Sequence, residues 1–214
     1  MPELVLVETA AGVRRITMHR PEARNALSSA LMAELAAAFV AAEEAEEVDV
    51  VVFTGTDPAF CAGLDLRELG QGGANLRGGA DAAASSPFAA LWRMTKPVIG
   101  AVNGPCVTGG FELALACDLL VASERATFAD THARLGVVAT WGLTALLPRA
   151  VGIRKAREMS ITGNFSGPDS RENSARAFFV RRITDQSTVM VSTRWLSAST
   201  RPPTSKMRPR SGAM

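Results

Sequence analysis

Between Lys96 and Asp118 the chain reads KPVIGAVNGPCVTGGFELALACD, and no other stretch restricts the fold as tightly. Val98 to Val102 is a short apolar run of the kind that forms a buried strand. Asn103, Gly104 and Pro105 break that run. After Thr108-Gly109-Gly110 the apolar character returns from Phe111 to Cys117, interrupted only by Glu112. That pattern predicts a strand, a turn and a helix whose first turn carries one carboxylate. Glycines at a helix start leave backbone N–H groups bare and aimed outward. Two readings of Glu112 stand at this point. A first-turn Glu is favoured by the helix dipole alone, by roughly 0.3–1 kcal/mol, and Thr108 then serves as an ordinary N-cap. In the other reading, an acid in an apolar setting beside free N–H donors is a catalytic group.

The remaining strands and helices alternate around this stretch. Leu4–Thr9 and Val13–Met18 read as strands joined through Ala10-Ala11-Gly12. Ser28 or Ser29 caps a helix in which Leu31, Leu35, Ala38, Phe39 and Ala42 share one face, closed by a glutamate-rich end. Val48–Thr54 is a strand rich in β-branched residues, followed by a loop from Asp57 to Leu66 at a strand's C-terminal end, where ligands of α/β proteins bind. Gly70–Gly79 matches no phosphate-binding fingerprint and is either a loop over a site or a linker. Pro87–Met94 reads as a helix and Leu119–Ala122 as a strand. Ala126–Gly136 reads as a strand end and a short helical turn. Trp141–Leu147 and Ile153–Thr162 read as helices, separated at Pro148 and Gly152. The alternation predicts an α/β fold.

Composition divides the chain. Its 214 residues are 47% hydrophobic, enough for a sizeable core, and the net charge of +2 hides an asymmetry. Residues 1–165 carry 14 Lys/Arg against 18 Asp/Glu, whereas residues 166–214 carry nine against three. Residues 1–165 are expected to form the core. Residues 166–214, rich in Ser, Thr and Arg, are expected to be weakly ordered. That tail lacks the interleaved aromatics of a nucleic-acid binder, so no nucleic-acid partner is expected. Cys61, Cys106 and Cys117 show no metal-ligand spacing, and buried free thiols in a reducing cytoplasm are expected. No signal peptide is read at the start, and no apolar run is long enough for a membrane span.

Four blocks in order resemble the crotonase superfamily, the enoyl-CoA hydratase/isomerase family. They are Arg20-Pro21 with Asn25-Ala26-Leu27; Ala59-Phe60-Cys61-Ala62-Gly63-Leu64-Asp65; Lys96-Pro97 through Val102-Asn103-Gly104; and Gly109-Gly110-Phe111-Glu112-Leu113-Ala114 through Cys117-Asp118. Ala126-Thr127-Phe128, Leu135-Gly136, Leu147-Pro148-Arg149 and Val151-Gly152 agree as well. The resemblance implies a spiral of ββα units that binds acyl-CoA thioesters, here truncated and followed by the basic tail. It implies an oxyanion hole made by the amides of Ala62 and Gly109, with CoA contacts from Arg24, Ala26, Ala62, Gly63, Leu64, Asp65 and Gly109. The implied activity is hydration of 2-enoyl-CoA in fatty-acid metabolism, with the thioester as substrate and no cofactor or metal. The alternative is a crotonase-like acyl-CoA binder without turnover.

Glu112 matches one of the two hydratase glutamates. The second position falls on His132, which is either a proton donor or a hydrogen-bonded turn residue. If His132 merely replaces the missing acid, His132→Glu is expected to raise hydration. The helical C-terminal part with which the family covers its acyl pocket and builds trimers or hexamers is not matched after Phe165. The abrupt change of composition there is read as a shifted reading frame, and a family-type trimer is not expected.

Overall fold

A computed structural model of the chain describes residues 3–72 and 86–167, together with the backbone of 180–183. Two strands, β1 (Val5–Ala10) and β2 (Val13–Met18), form the antiparallel hairpin expected from Ala10–Gly12. Helix α1 (Ser29–Glu44) starts where Ser28 accepts a hydrogen bond from the Leu31 N–H. It buries Leu31, Leu35, Ala36, Phe39 and Ala42, the stripe that its sequence spacing dictates. Next come β3 (Val50–Gly55), α2 (Leu66–Gly70), α3 (Pro87–Arg93), β4 (Val98–Val102), β5 (Pro105–Val107) and α4 (Gly109–Leu115). The described order closes with β6 (Leu119–Ser123), β7 (Thr127–Ala129), α5 (His132–Leu135), α6 (Leu143–Val151), α7 (Ile153–Thr162) and β8 (Val180–Ile183).

The large sheet has the order β1-β2-β3-β4-β6-β8 and is parallel throughout, apart from the β1–β2 hairpin. A second, smaller layer pairs β5 with β7 and extends through single bridges, Cys61 to Cys106, Leu27 to Leu64 and Phe128 to Ser166. Each turn of the chain therefore contributes a strand to the large sheet, a strand or bridge to the small layer, and then a helix. This is a spiral of ββα units. Burial between the layers is aromatic at its centre: Phe53 meets Phe39 and Phe60 edge-on at 5.2 Å each, and Phe111 meets Phe128 at 5.4 Å.

Two expectations need correcting. Pro148 does not end a helix, because α6 runs through it to Val151. Leu143, Leu147 and Val151 are all buried, and their four-residue spacing holds the helical face across the one hydrogen bond that proline cannot make. The same helix starts at Leu143 rather than Trp141, since Gly142 sits at φ +102° and cannot be helical. The three cysteines are free; Cys61 and Cys106 are buried and Cys117 is half-buried. Burial pushes the Cys61 thiol up to about 12, so it stays protonated and inert. Most of the glycine-rich 70–79 stretch and nearly all of the 166–214 tail lie outside the described residues. Among the described residues no helix is long and apolar enough to cross a membrane.

Candidate active site

The site is assembled at the N-terminus of α4. Thr108, at φ +52° and ψ −115°, reverses the chain between β5 and the helix. A β-branched residue in that region is strained, and it is held by two bonds to the β7 end. Its N–H donates to the Ala129 carbonyl at 3.0 Å, and its hydroxyl pairs with that of Thr131. Gly110 has to be glycine, since a Cβ there would lie 2.5 Å from the Cβ of Cys61. At Gly109 the Trp141 ring stands 3.2 Å from where a Cβ would sit.

Peptide geometry fixes which amides face this site. The Thr108 carbonyl accepts from Glu112 N–H along the helix. In a planar trans peptide the Gly109 N–H therefore points the other way, off the helix end. On the neighbouring segment Ala62 N–H donates to the Arg24 carbonyl at 3.1 Å, so the expectation that it is bare is not met. On this segment the bare amide is that of Leu64. Leu27 N–H donates to the Gly63 carbonyl at 2.7 Å and Asp65 N–H to the Leu27 carbonyl at 3.0 Å. These bonds turn the Leu64 N–H away from Leu27, toward the Thr108–Gly109 side. Gly63, at φ +91°, closes the gap: a Cβ on it would be 3.1 Å from the Thr108 Cβ and 3.5 Å from the Gly109 nitrogen. Neither Leu64 N–H nor Gly109 N–H has a hydrogen-bond acceptor among the described residues.

Glu112 sits in the first turn of the helix that Gly109 starts and is 2% exposed. Its Oε1 accepts from the N–H groups of Trp141 at 2.8 Å and Leu143 at 3.3 Å. Its Oε2 stands 3.5 Å from Nε2 of His132. The other ring nitrogen, Nδ1, is 2.6 Å from Oδ1 of Asp130, which also accepts the His132 backbone N–H at 3.2 Å. Burial alone would strip the imidazole of its proton. The hydrogen bonds to Asp130 and Glu112, with the charges of both, outweigh it and push the His132 pKa up to about 9. Burial of Asp130 is likewise outweighed, by bonds from His132 and Ser160, which hold its carboxyl below the usual range. The structure thus joins Glu112 and His132, which the sequence singled out separately.

The residues expected to meet CoA lie along the adjoining loops. Asn25 is fully buried and ties the loops together, its Nδ2 donating to the carbonyls of Thr56 and Ala59 at 2.8 Å each. Arg20 is occupied, donating to Asp65 Oδ2 at 2.6 Å and to the Ala26 carbonyl at 3.0 Å. Asp65 also caps α2 through the Arg67 N–H at 2.9 Å, so its carboxylate organises the loop. Arg24 is exposed at φ +52°. Sequence reasoning missed Asp130, although the Asp-x-His spacing was there to see, and the Trp141 and Leu143 amides, which no side chain announces. Among the described residues no cluster of His, Cys, Asp and Glu is placed to hold a metal ion.

Comparison with known proteins places the fold that carries this site in a family. The family model for enoyl-CoA hydratase/isomerase matches residues 8–197, running past Phe165. Over 177 residues the chain is 41% identical to a probable peroxisomal enoyl-CoA hydratase 1 of Arabidopsis thaliana, covering 83% of this chain and 64% of that one. A probable enoyl-CoA hydratase of Rhizobium meliloti is 38% identical, with 80% of this chain and 66% of that one covered. The chain thus spans just under two thirds of these relatives' length. The crystal structure of an enoyl-CoA hydratase from Mycobacterium avium superposes with a TM-score of 0.75 at 45% identity, covering 92% of this chain and 80% of that one. Its counterpart from Mycobacterium tuberculosis gives 0.76 at 44% identity, covering 92% and 81%. The chain belongs to the enoyl-CoA hydratase/isomerase family of the crotonase superfamily.

Proposed function

We propose that this chain is an enoyl-CoA hydratase-type lyase that adds water across the 2,3-double bond of a 2-enoyl-CoA thioester in fatty-acid metabolism. The observation that supports it is the pairing of two unbonded amides, Leu64 and Gly109, with a buried Glu112–His132 contact. The thioester oxygen accepts from both N–H groups, and they strengthen their hold as charge moves onto it in the enolate-like transition state. One such donor is worth roughly 2.7–4 kcal/mol. Glu112 takes a proton from water as its oxygen attacks the β-carbon, and His132 gives its Nε2 proton to the α-carbon. Arg24, exposed at the rim, meets the CoA phosphates, while the backbone of Ala26 and of Ala62 to Asp65 lines the path of the CoA arm. The thioester is the substrate, and no step calls for a further cofactor. Three free thiols support a reducing compartment such as the cytoplasm.

The test is hydration of a four-carbon 2-enoyl-CoA, read as loss of the conjugated thioester absorbance. Turnover that falls by about 10²–10⁴ in Glu112→Gln, with KM little changed, is the expected result. Tight acyl-CoA binding without turnover by the unmodified chain would instead mark a binder, and the lyase reading would fall.

A further inference from the structure

Asp130 has no task in the chemistry described so far, yet it is 3% exposed and spends its carboxylate on His132 and Ser160. His132 is bracketed by two acids: Oδ1 of Asp130 at 2.6 Å from Nδ1 and Oε2 of Glu112 at 3.5 Å from Nε2. An ionised carboxylate can only accept, so each ring nitrogen facing one must carry a hydrogen. A neutral ring bonded to Asp130 through Nδ1–H would present the Nε2 lone pair to Glu112, a repulsive contact. We propose that Asp130 is a positioning residue that orients His132 and keeps both its ring nitrogens protonated, so that Nε2–H is presented as the acid of the reaction.

This inference rests on the hydratase reading for its consequence but not for its geometry. It also closes the proton cycle. Water loses a proton to Glu112 and its oxygen bonds to the β-carbon; His132 gives its Nε2 proton to the α-carbon. The proton on Glu112 then passes from Oε2 to Nε2 across their shared contact. The imidazolium and the carboxylate are both restored, and one water has been added. Asp130 stays ionised throughout and holds the ring while its other nitrogen is emptied and refilled.

The groups around His132 are consistent with this role. Glu112 comes from α4 and Asp130 from the loop before α5. Helix α7, packed on α5, offers Asp130 the neutral Ser160 hydroxyl. Arg134 of α5 is drawn instead to the Thr162 carbonyl and Asn164, and Lys155 of α7 to Glu158. Among the described residues, no cation is placed to dismiss the imidazole proton.

Only two histidines occur in the chain, so imidazole NMR of the full-length protein reads His132 directly, with His19→Gln to assign the other. The expected result is a His132 titration at about 9 in the unmodified chain, moving to about 6.5 or lower in Asp130→Asn. With a four-carbon 2-enoyl-CoA, Asp130→Asn is expected to lower kcat by about 10–100-fold while KM moves by less than about threefold. The basic limb of its pH–rate profile should shift down with the titration, and Asp130→Glu should recover part of both. A His132 that titrates near 6.5 in the unmodified chain overturns the proposal, and that measurement needs no variant to fold. So does an Asp130→Asn protein in which titration and kcat are unchanged. If the titration behaves as expected but the unmodified chain does not hydrate the substrate, the Asp130–His132 assignment stands and the hydratase reading fails.

Discussion

Replacing His132 by Gln should remove a specific portion of the pH dependence of stability. In the folded protein the imidazole keeps its proton to about 9, against 6.5 for the unperturbed group. The folded state therefore binds more protons than the unfolded chain between those two values, and stability falls as the pH rises through that window. The contribution is complete below pH 6.5, declines by about 1.4 kcal/mol per pH unit above it, and is gone above about 9. Integrated over the shift, it is worth at most about 3–4 kcal/mol. Glu112 and Asp130 contribute through the same contacts, so their share is already in that figure. Urea unfolding of the unmodified chain and of His132→Gln, followed from pH 5.5 to 10, isolates the effect, because every other titrating group is common to both. The unmodified chain should lose about 2–3 kcal/mol more than the variant between pH 6.5 and 9.5. Parallel curves across that window would show that the proton is not held by the fold.

The remaining expectations test the scaffold and the acid. Gly110→Ala places a Cβ within 2.5–2.8 Å of the Cβ, carbonyl and Sγ of Cys61, and should cost about 1–3 kcal/mol in urea unfolding; a cost under about 0.5 would contradict that packing. Asn25→Ala strips the part-buried Thr56 carbonyl and the buried Ala59 carbonyl of their donor and puts alanine at φ +56°. A loss of about 2–4 kcal/mol is expected, with reduced turnover because the loop leading to the Leu64 amide loses its tie to Asn25; full retention of both would refute it. His132→Glu sets a third carboxylate between Asp130 and Glu112, so hydration should fall, the reverse of what the sequence alone leads one to expect. A rise in kcat would show that the Asp130 contact is dispensable.

Much of the fold was written plainly in the sequence, where burial has a period. The stripe from Leu31 to Ala42 gave α1, and the β-branched run before Gly55 gave β3. Apart from the strand end read at the start of Ala126–Gly136, where β7 lies, the second layer was not visible, because β5 and β7 are three residues each and Leu27, Cys61 and Leu64 join by single bridges. No periodic pattern exists at that length. Pro148 misled for a related reason: a local breaker was weighed without the buried Leu143–Leu147–Val151 face that overrides it.

For side chains the sequence pointed to Glu112 and His132 but not to Asp130, and for backbone it reached only the segment. Glu112 and His132 stand out by type, an acid in an apolar run and a lone histidine in a Phe-x-x-x-His frame. An amide carries no such mark, and what decides its availability is which way its peptide plane faces. Along an extended segment successive N–H groups point to opposite sides, so Ala62 and Leu64 would share a side in a regular strand. They do not here, since Ala62 N–H meets Arg24 while Leu64 N–H turns away from Leu27. The break in alternation falls at Gly63, whose φ of +91° few other residues accept. The glycine in the Ala62-Gly63-Leu64-Asp65 block thus does more than admit a close neighbour. It rotates the following amide out of the ladder and toward Gly109, and any substitution that returns residue 63 to negative φ should bury that donor again.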